Sequence, residues 1–202
     1  MVLETFKITW ESYYDISTGR GFNTIGIIPI YTCSLLIYCL LVAAWGKGKF
    51  KDTALSWLAP IGLVSGGLGV VMTNGLNYYP FWTFGGWYSM LFHYSLLLVG
   101  VLVLTTRYKI LSWKDIYISE IPMLLLSIIA SPINYYYGAD YMQLNEGSGI
   151  PLFSTLAEKL HALNMRPLFT IIMLASYMIV SAIVVSFAKL IDFLCKKREQ
   201  AK

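Results

Sequence analysis

The sequence predicts an all-α fold: a polytopic membrane helical bundle of five transmembrane helices, N-terminus outside and C-terminus cytoplasmic. Three observations carry that expectation. The chain is 57% hydrophobic and only 13% charged, where a soluble domain carries about 25% charged residues. Five apolar stretches approach the roughly 20 residues that a spanning helix needs. When those stretches are threaded back and forth across a bilayer, the basic residues fall overwhelmingly on one side. Continuous apolar runs, in place of ten-residue alternating ones, exclude a transmembrane barrel.

The 202 residues form a single domain. Residues 1–22 make an interfacial N-terminal segment. In it Leu3, Phe6, Trp10, Tyr13 and Tyr14 recur at helical spacing, with Glu4, Lys7 and Glu11 between them, as suits a helix lying among headgroups. The same residues, with Asp15 and Arg20, leave no apolar core for a secretory signal. The spans follow at Thr24–Trp45, Ala54–Thr73, Phe84–Thr105, Ile116–Tyr137 and Pro167–Cys195. The last exceeds the bilayer thickness and should tilt or protrude. Residues 138–166 form an outer loop with an interfacial helix, striped by Leu152, Leu156, Leu160 and Leu163, with His161 on the surface. Lid over the bundle and solvated loop are both open readings of it.

Orientation follows from charge. Lys47, Lys49, Lys51, Arg107, Lys109, Lys114, Lys189, Lys196, Lys197, Arg198 and Lys202 fall on one side; Lys7, Arg20, Lys159 and Arg166 fall on the other. The first side is the cytoplasmic one, which places the chain as a multi-pass protein of the cell (plasma) membrane. Trp45, Trp57, Tyr108 and Trp113 then mark the inner boundary, and Tyr78, Tyr79, Trp82, Trp87 and Tyr135–Tyr137 the outer one.

Within the bundle, Gly62 with Gly66 and Ser65 with Gly69 place small residues four apart in the second span. Such spacing lets helices approach closely and makes that span central. Pro60, Pro122 and Pro132 lie inside spans, where each removes a backbone donor.

Polar groups inside the spans mark the candidate site. His93 is an ionisable residue in the third span, a costly placement that points to function. Gly86, Ser89 and Gly100 share its helix face, so it should point into the bundle. At about 1.5 Å per residue, Cys33 and His93 both lie roughly 13 Å from the outer ends of their spans. Ser131 and Asn134 rise to a comparable level, and Asp140, Tyr141, Asn74 and Asn77 lie just beyond. A histidine beside a thiol can take its proton as attack begins, and an amide such as Asn134 can orient the imidazole or hold an oxyanion. Chemistry of this kind moves acyl groups through a thioester. The competing reading of Cys33 is a small packed hydrophobe; Cys39 and Cys195 are read as packing. Glu120 sits about a turn inside the inner boundary, within reach of headgroups.

Three scattered cysteines make neither a disulfide framework nor a metal site, and neither metal nor other cofactor is expected. The net charge of +4 comes from short clusters between apolar segments, so no nucleic-acid partner is expected; membrane lipids are.

The run Ile28-Pro29-Ile30-Tyr31-Thr32-Cys33-Ser34 resembles the Pro-x-His-x-Cys segment of the YwaF-like bacterial integral membrane family, which is related to the eukaryotic transmembrane protein 164 acyltransferase family. Tyr79-Pro80, Phe92-His93, Asn134 and Asp140-Tyr141-Met142 are similar to that family's later signposts, in order, across about Trp10 to Pro167. The resemblance implies a helical bundle with Cys33 and His93 as the reactive pair. For the eukaryotic branch it implies a phospholipid acyltransferase that passes a fatty acyl chain through the cysteine. Tyr31 stands where the family has a histidine, so any help that histidine gives is missing or altered. Family members also tend to carry spans ahead of this segment. The expectation for this chain is therefore a shortened member, or a homo-oligomer or partner that supplies N-terminal helices.

Two function classes follow. One is a membrane-embedded phospholipid acyltransferase or lipid thioesterase using the Cys33–His93 pair in the outer leaflet, with Tyr31, Asn134, Asp140 and Tyr141 binding substrate. The other is a substrate-binding membrane subunit or small transporter, indifferent to Cys33.

Overall fold

The computed structural model describes residues 2–22, 30–71, 79–107, 111–147 and 150–200, the side chain of residue 119 excepted. The start of the first expected span (residues 24–29), Thr73, Asn74, Asn77, Tyr78, Tyr108, Lys109 and Lys202 lie outside the described residues. The described elements are α1 (Val2–Ser17), α2 (Thr32–Trp45), α3 (Gly48–Val71), α4 (Phe84–Arg107), α5 (Lys114–Tyr137), a short 3-10 turn (Tyr141–Gln143), α6 (Pro151–Ala162) and α7 (Arg166–Gln200).

Four of these, α3, α4, α5 and α7, are long and apolar enough to cross a membrane. The bundle is all-helical and polytopic, as composition predicts. The first expected span contributes the shorter apolar helix α2. At about 1.5 Å per residue, the 35 residues of α7 extend about 52 Å, well past the roughly 30 Å of hydrocarbon.

The second expected span is central: α3 packs on α2, α4, α5 and α7. Glycine is the reason α3 and α4 lie so close. A Cβ on Gly66 would stand 2.4 Å from Leu97 N and 2.9 Å from His93 O. One on Gly100, from the other side, would stand 2.6 Å from Leu63 N. Backbone meets backbone here, the arrangement small residues permit in lipid. Pro60 sits inside α3, and Pro122 and Pro132 inside α5, without ending either helix.

Aromatic residues divide. Trp45, Trp82, Trp87, Trp113 and Tyr135–Tyr137 are exposed, as an interfacial belt requires. Trp57 and Tyr79 are not: Trp57 belongs to the buried core, and buried Tyr79 donates to Asp15 Oδ2 at 3.2 Å.

The two outer amphipathic helices form, and each packs on the bundle with a face that only partly coincides with its apolar stripe. In α1, Leu3, Phe6, Tyr13 and Ile16 are exposed, while Glu4, Lys7, Glu11 and Asp15 face inward with side chains 13, 20, 19 and 1% exposed. The dock is aromatic: Trp10 meets Phe84 and Tyr79 at 5.8 and 5.3 Å between ring centres, and Phe6 meets Phe84 at 4.9 Å. Gly85 leaves the room for Trp10, whose Cζ3 would lie 2.6 Å from a Cβ there. In α6 the inward stripe is Phe153, Leu156, Ala157, Leu160 and His161, with Leu152 and Leu163 exposed. His161 is therefore half-buried, edge-on to Phe169 at 6.3 Å.

Candidate functional site

Helix α2 begins inside the stretch expected to be one continuous span. Tyr31 is extended (φ −70°, ψ 144°), and the first turn closes with Leu35 N donating to Tyr31 O at 3.1 Å. The N–H groups of Thr32, Cys33 and Ser34 thus have no intrahelical acceptor. Cys33 is a first-turn residue, not a mid-helix one. N–H groups without an intrahelical acceptor and the positive end of the helix dipole stabilise an anion at this position.

Around that turn the structure gathers four of the other residues singled out from sequence. The rings of Tyr31 and Tyr141 pack at 5.1 Å between centres, and Tyr141 is 0% exposed. Asn134 grips the main chain of Tyr141 from both ends of its amide: Nδ2 donates to Tyr141 O at 2.9 Å, and Oδ1 accepts from Tyr141 N at 2.8 Å. Asp140 Oδ1 accepts from Asn145 N and Glu146 N, both at 2.9 Å. Asn134 and Asp140 therefore build the turn that carries Tyr141.

Tyr177 of α7, not anticipated from sequence, ties this turn to α2. Its hydroxyl donates to Met142 O at 2.9 Å and lies 3.2 Å from Thr32 Oγ1, which is left to donate to it. Met142 and Gln143 both adopt positive φ, 55° and 57°, an uncommon pair for non-glycine residues, and strain of this kind clusters at functional sites. The signal for Tyr177 was in the chain. It is the one tyrosine in the apolar run 167–195, and a phenol buried in hydrocarbon needs a partner.

His93 lies on the α3–α4 seam. Its Nδ1 stands 2.7 Å from Ser89 O; a carbonyl only accepts, so Nδ1 carries the proton and Nε2 keeps its lone pair. The ring occupies the space that Gly69 leaves empty, where a Cβ would fall 2.0 Å from Cδ2. No hydrogen bond joins His93 to Cys33 among the described residues. Elsewhere, Glu120 Oε1 and Trp57 Nε1 are buried without a hydrogen-bond partner among the described residues.

The charged side chains of α1 pair with one another and with α4. Lys7 Nζ lies 3.2 Å from Glu4 Oε1 and 3.5 Å from Glu11 Oε2, and Tyr88 of α4 donates to Glu4 Oε2. Burial pushes the Glu11 carboxyl above its ordinary 4.5, while Lys7 pulls it the other way.

The sequence profile of the TMEM164 family matches residues 1–191. The chain belongs to the TMEM164 family. No curated protein and no solved structure matches it. With its four long apolar helices, this TMEM164-family chain is a multi-pass membrane protein.

Proposed function

We propose that this protein is a cysteine-dependent lipid acyltransferase or thioesterase of the plasma membrane, acting in the outer leaflet. The observation that carries the reading is the place of Cys33. Cys33 lies in the first turn of α2, beside N–H groups that have no intrahelical acceptor, where a thiolate and an oxyanion are both stabilised. Tyr31, Tyr141 and the Thr32–Tyr177 pair surround that turn.

In the proposed reaction the Cys33 thiolate attacks the ester carbonyl of a phospholipid. The ester C–O bond breaks, an acyl thioester forms, and the lysolipid leaves as an alcohol after taking a proton. A second lipid hydroxyl, or water, then attacks the thioester; the C–S bond breaks and the sulfur recovers its thiol proton. His93, with Nδ1–H fixed on Ser89 O, offers Nε2 as the proton carrier. Membrane lipids are the partners, and a second chain supplying further helices is compatible with this chemistry.

The test is intact mass of detergent-purified protein incubated with phospholipid, with and without hydroxylamine, alongside lipid turnover, for wild type, Cys33→Ala and His93→Ala. A hydroxylamine-labile acyl adduct on Cys33, weakened in His93→Ala, supports the reading. Turnover that survives in Cys33→Ala refutes it, as does the absence of both adduct and turnover. A tightly bound small molecule retained by Cys33→Ala favours a capture subunit or transporter instead.

A further inference from the structure

Helix α2 begins without a local device to start it. Helices ordinarily open on a serine, threonine, aspartate or asparagine whose side chain caps the first N–H groups. Tyr31 stands at that position and makes no side-chain cap. Two long-range contacts take its place. The Tyr31 ring packs on Tyr141 at 5.1 Å, and the Thr32 hydroxyl reaches across 145 residues of chain to the Tyr177 hydroxyl at 3.2 Å. The second contact has a fixed sense. Tyr177 commits its phenol proton to Met142 O at 2.9 Å, so Thr32 is the donor at the other end. The relay from Thr32 through Tyr177 to Met142 thus runs one way, and its three residues are 8, 7 and 1% exposed. Hydrogen bonds with no water to compete for them hold their side chains in one arrangement.

The far end of the relay is a strained turn. Met142 and Gln143 both adopt positive φ, a costly backbone that persists only where its surroundings over-determine it. Asn134 supplies two restraints by gripping Tyr141, and Tyr177 supplies a third at Met142. Tyr177 itself stands on the buried face of α7, with Phe169, Met173 and Ser181, and α7 packs on α3, α5 and α6. One well-anchored helix is therefore the reference against which both the turn and the first residue of α2 are set.

We propose that Tyr177 is a positioning residue for Cys33, acting through Thr32, and that its hydroxyl is the joint between the Tyr141–Gln143 turn and the first turn of α2. The inference rests on Cys33 being the reactive group. Tyr177 touches no substrate. Thr32 and Cys33 are consecutive, so a bond that fixes the Thr32 side chain also fixes the direction in which the Cys33 side chain leaves the helix. The N–H groups of Cys33 and Ser34 are set with it. Reacting groups need placing to within about 0.5 Å, and a first turn with no side-chain cap does not supply that by itself. A displacement of the Tyr141–Gln143 turn passes through the same hydroxyl to Cys33.

The test compares alkylation of the free cysteines Cys33 and Cys39 by iodoacetamide in the full chain in detergent, at one pH and below the unfolding temperature, read by peptide mass spectrometry. The rate at Cys33 is divided by that at Cys39 on the same helix, so a general loosening of the bundle, which acts on both, cancels. Tyr177→Phe and Thr32→Val each remove one link and keep the shape. Each is expected to slow Cys33 relative to Cys39 by about two- to tenfold, the range one hydrogen bond spans. Because the two residues act as a unit, the double variant should be no slower than the single ones. Thr32→Ser keeps the hydroxyl, loses the methyl group and should stay near wild type. An unchanged or higher ratio in Tyr177→Phe overturns the proposal, as do additive effects in the double variant. A serine variant slower than the valine one overturns it too, since packing would then set the rate in place of the hydroxyl. Alkylation needs no lipid, so these outcomes are separate from whether Cys33→Ala abolishes turnover, and each proposal fails on its own measurement.

Discussion

Adjacent glycines in α3 offer a matched pair of substitutions. A Cβ on Gly66 would meet Leu97 N at 2.4 Å and Leu97 Cα at 2.8 Å. Backbone atoms cannot swing aside, and non-bonded contacts settle near 3.5 Å, so α3 and α4 must part by about 1 Å. Overpacking of this kind costs about 1–3 kcal/mol. A Cβ on Gly67 would meet only Leu97 Cδ1, at 4.0 Å. Both changes gain the same helix propensity, about 1 kcal/mol for alanine over glycine, so that contribution cancels in the comparison. Gly66→Ala should therefore be less stable than Gly67→Ala by about 1–3 kcal/mol, and Gly67→Ala equal to or more stable than wild type. The assay is reversible unfolding in mixed micelles, followed by far-ultraviolet circular dichroism. Two variants agreeing within about 0.5 kcal/mol would refute the backbone-to-backbone packing of these helices.

Other expectations follow from the site. Tyr177→Phe leaves Met142 O and Thr32 Oγ1 without their shared partner and should cost about 1–2 kcal/mol, with faster amide exchange confined to residues 141–144. Asn134→Ala removes both bonds to the Tyr141 main chain and should cost about 1–3 kcal/mol. Asn134→Asp, which sets an oxygen against Tyr141 O, should be no better, and both are read by thermal unfolding. For Glu11 the sign is set by burial: the folded state holds the proton more tightly than the unfolded state, whose carboxyl titrates near 4.5. Its contribution is complete below that value and is lost as pH rises through the higher folded value. The stability of Glu11→Gln relative to wild type should therefore rise from pH 4 to pH 8; a flat or falling difference would contradict the buried placement of that carboxyl.

Spans were the legible part of this fold, because some twenty apolar residues in a row have few other uses. The common level of Asn134, Asp140 and Tyr141 was also visible, through depth along the chain, while Tyr31 entered only through the family resemblance. The pairing of His93 with Cys33 has no contact behind it among the described residues. The start of α2 was not. Residues on both sides of Tyr31 are apolar or small, and Tyr31 makes no side-chain cap, so nothing local announces a helix terminus. Hydrophobic spacing showed that α1 and α6 each have two faces and gave no hint of which face packs. In a protein surrounded by lipid, the interior can be the more polar side, and the assumption that apolar faces pack inward fails at α1. Tyr177 was missed because a single hydroxyl in a long apolar run barely changes its hydropathy.

The reversed polarity of α1 bears on how sequence variants of this segment should be judged. Scoring by membrane compatibility would favour replacing Lys7 or Glu11 with leucine and penalise adding a charge at Leu3 or Tyr13. With Glu4, Lys7 and Glu11 facing the bundle beside Trp10, and Leu3 and Tyr13 exposed, the first kind of change strips the interior of matched partners. The second alters only the periphery. A ranking of substitutions by hydrophobicity would thus run opposite to their harm along this helix, and a variant that looks benign by that measure would be the damaging one.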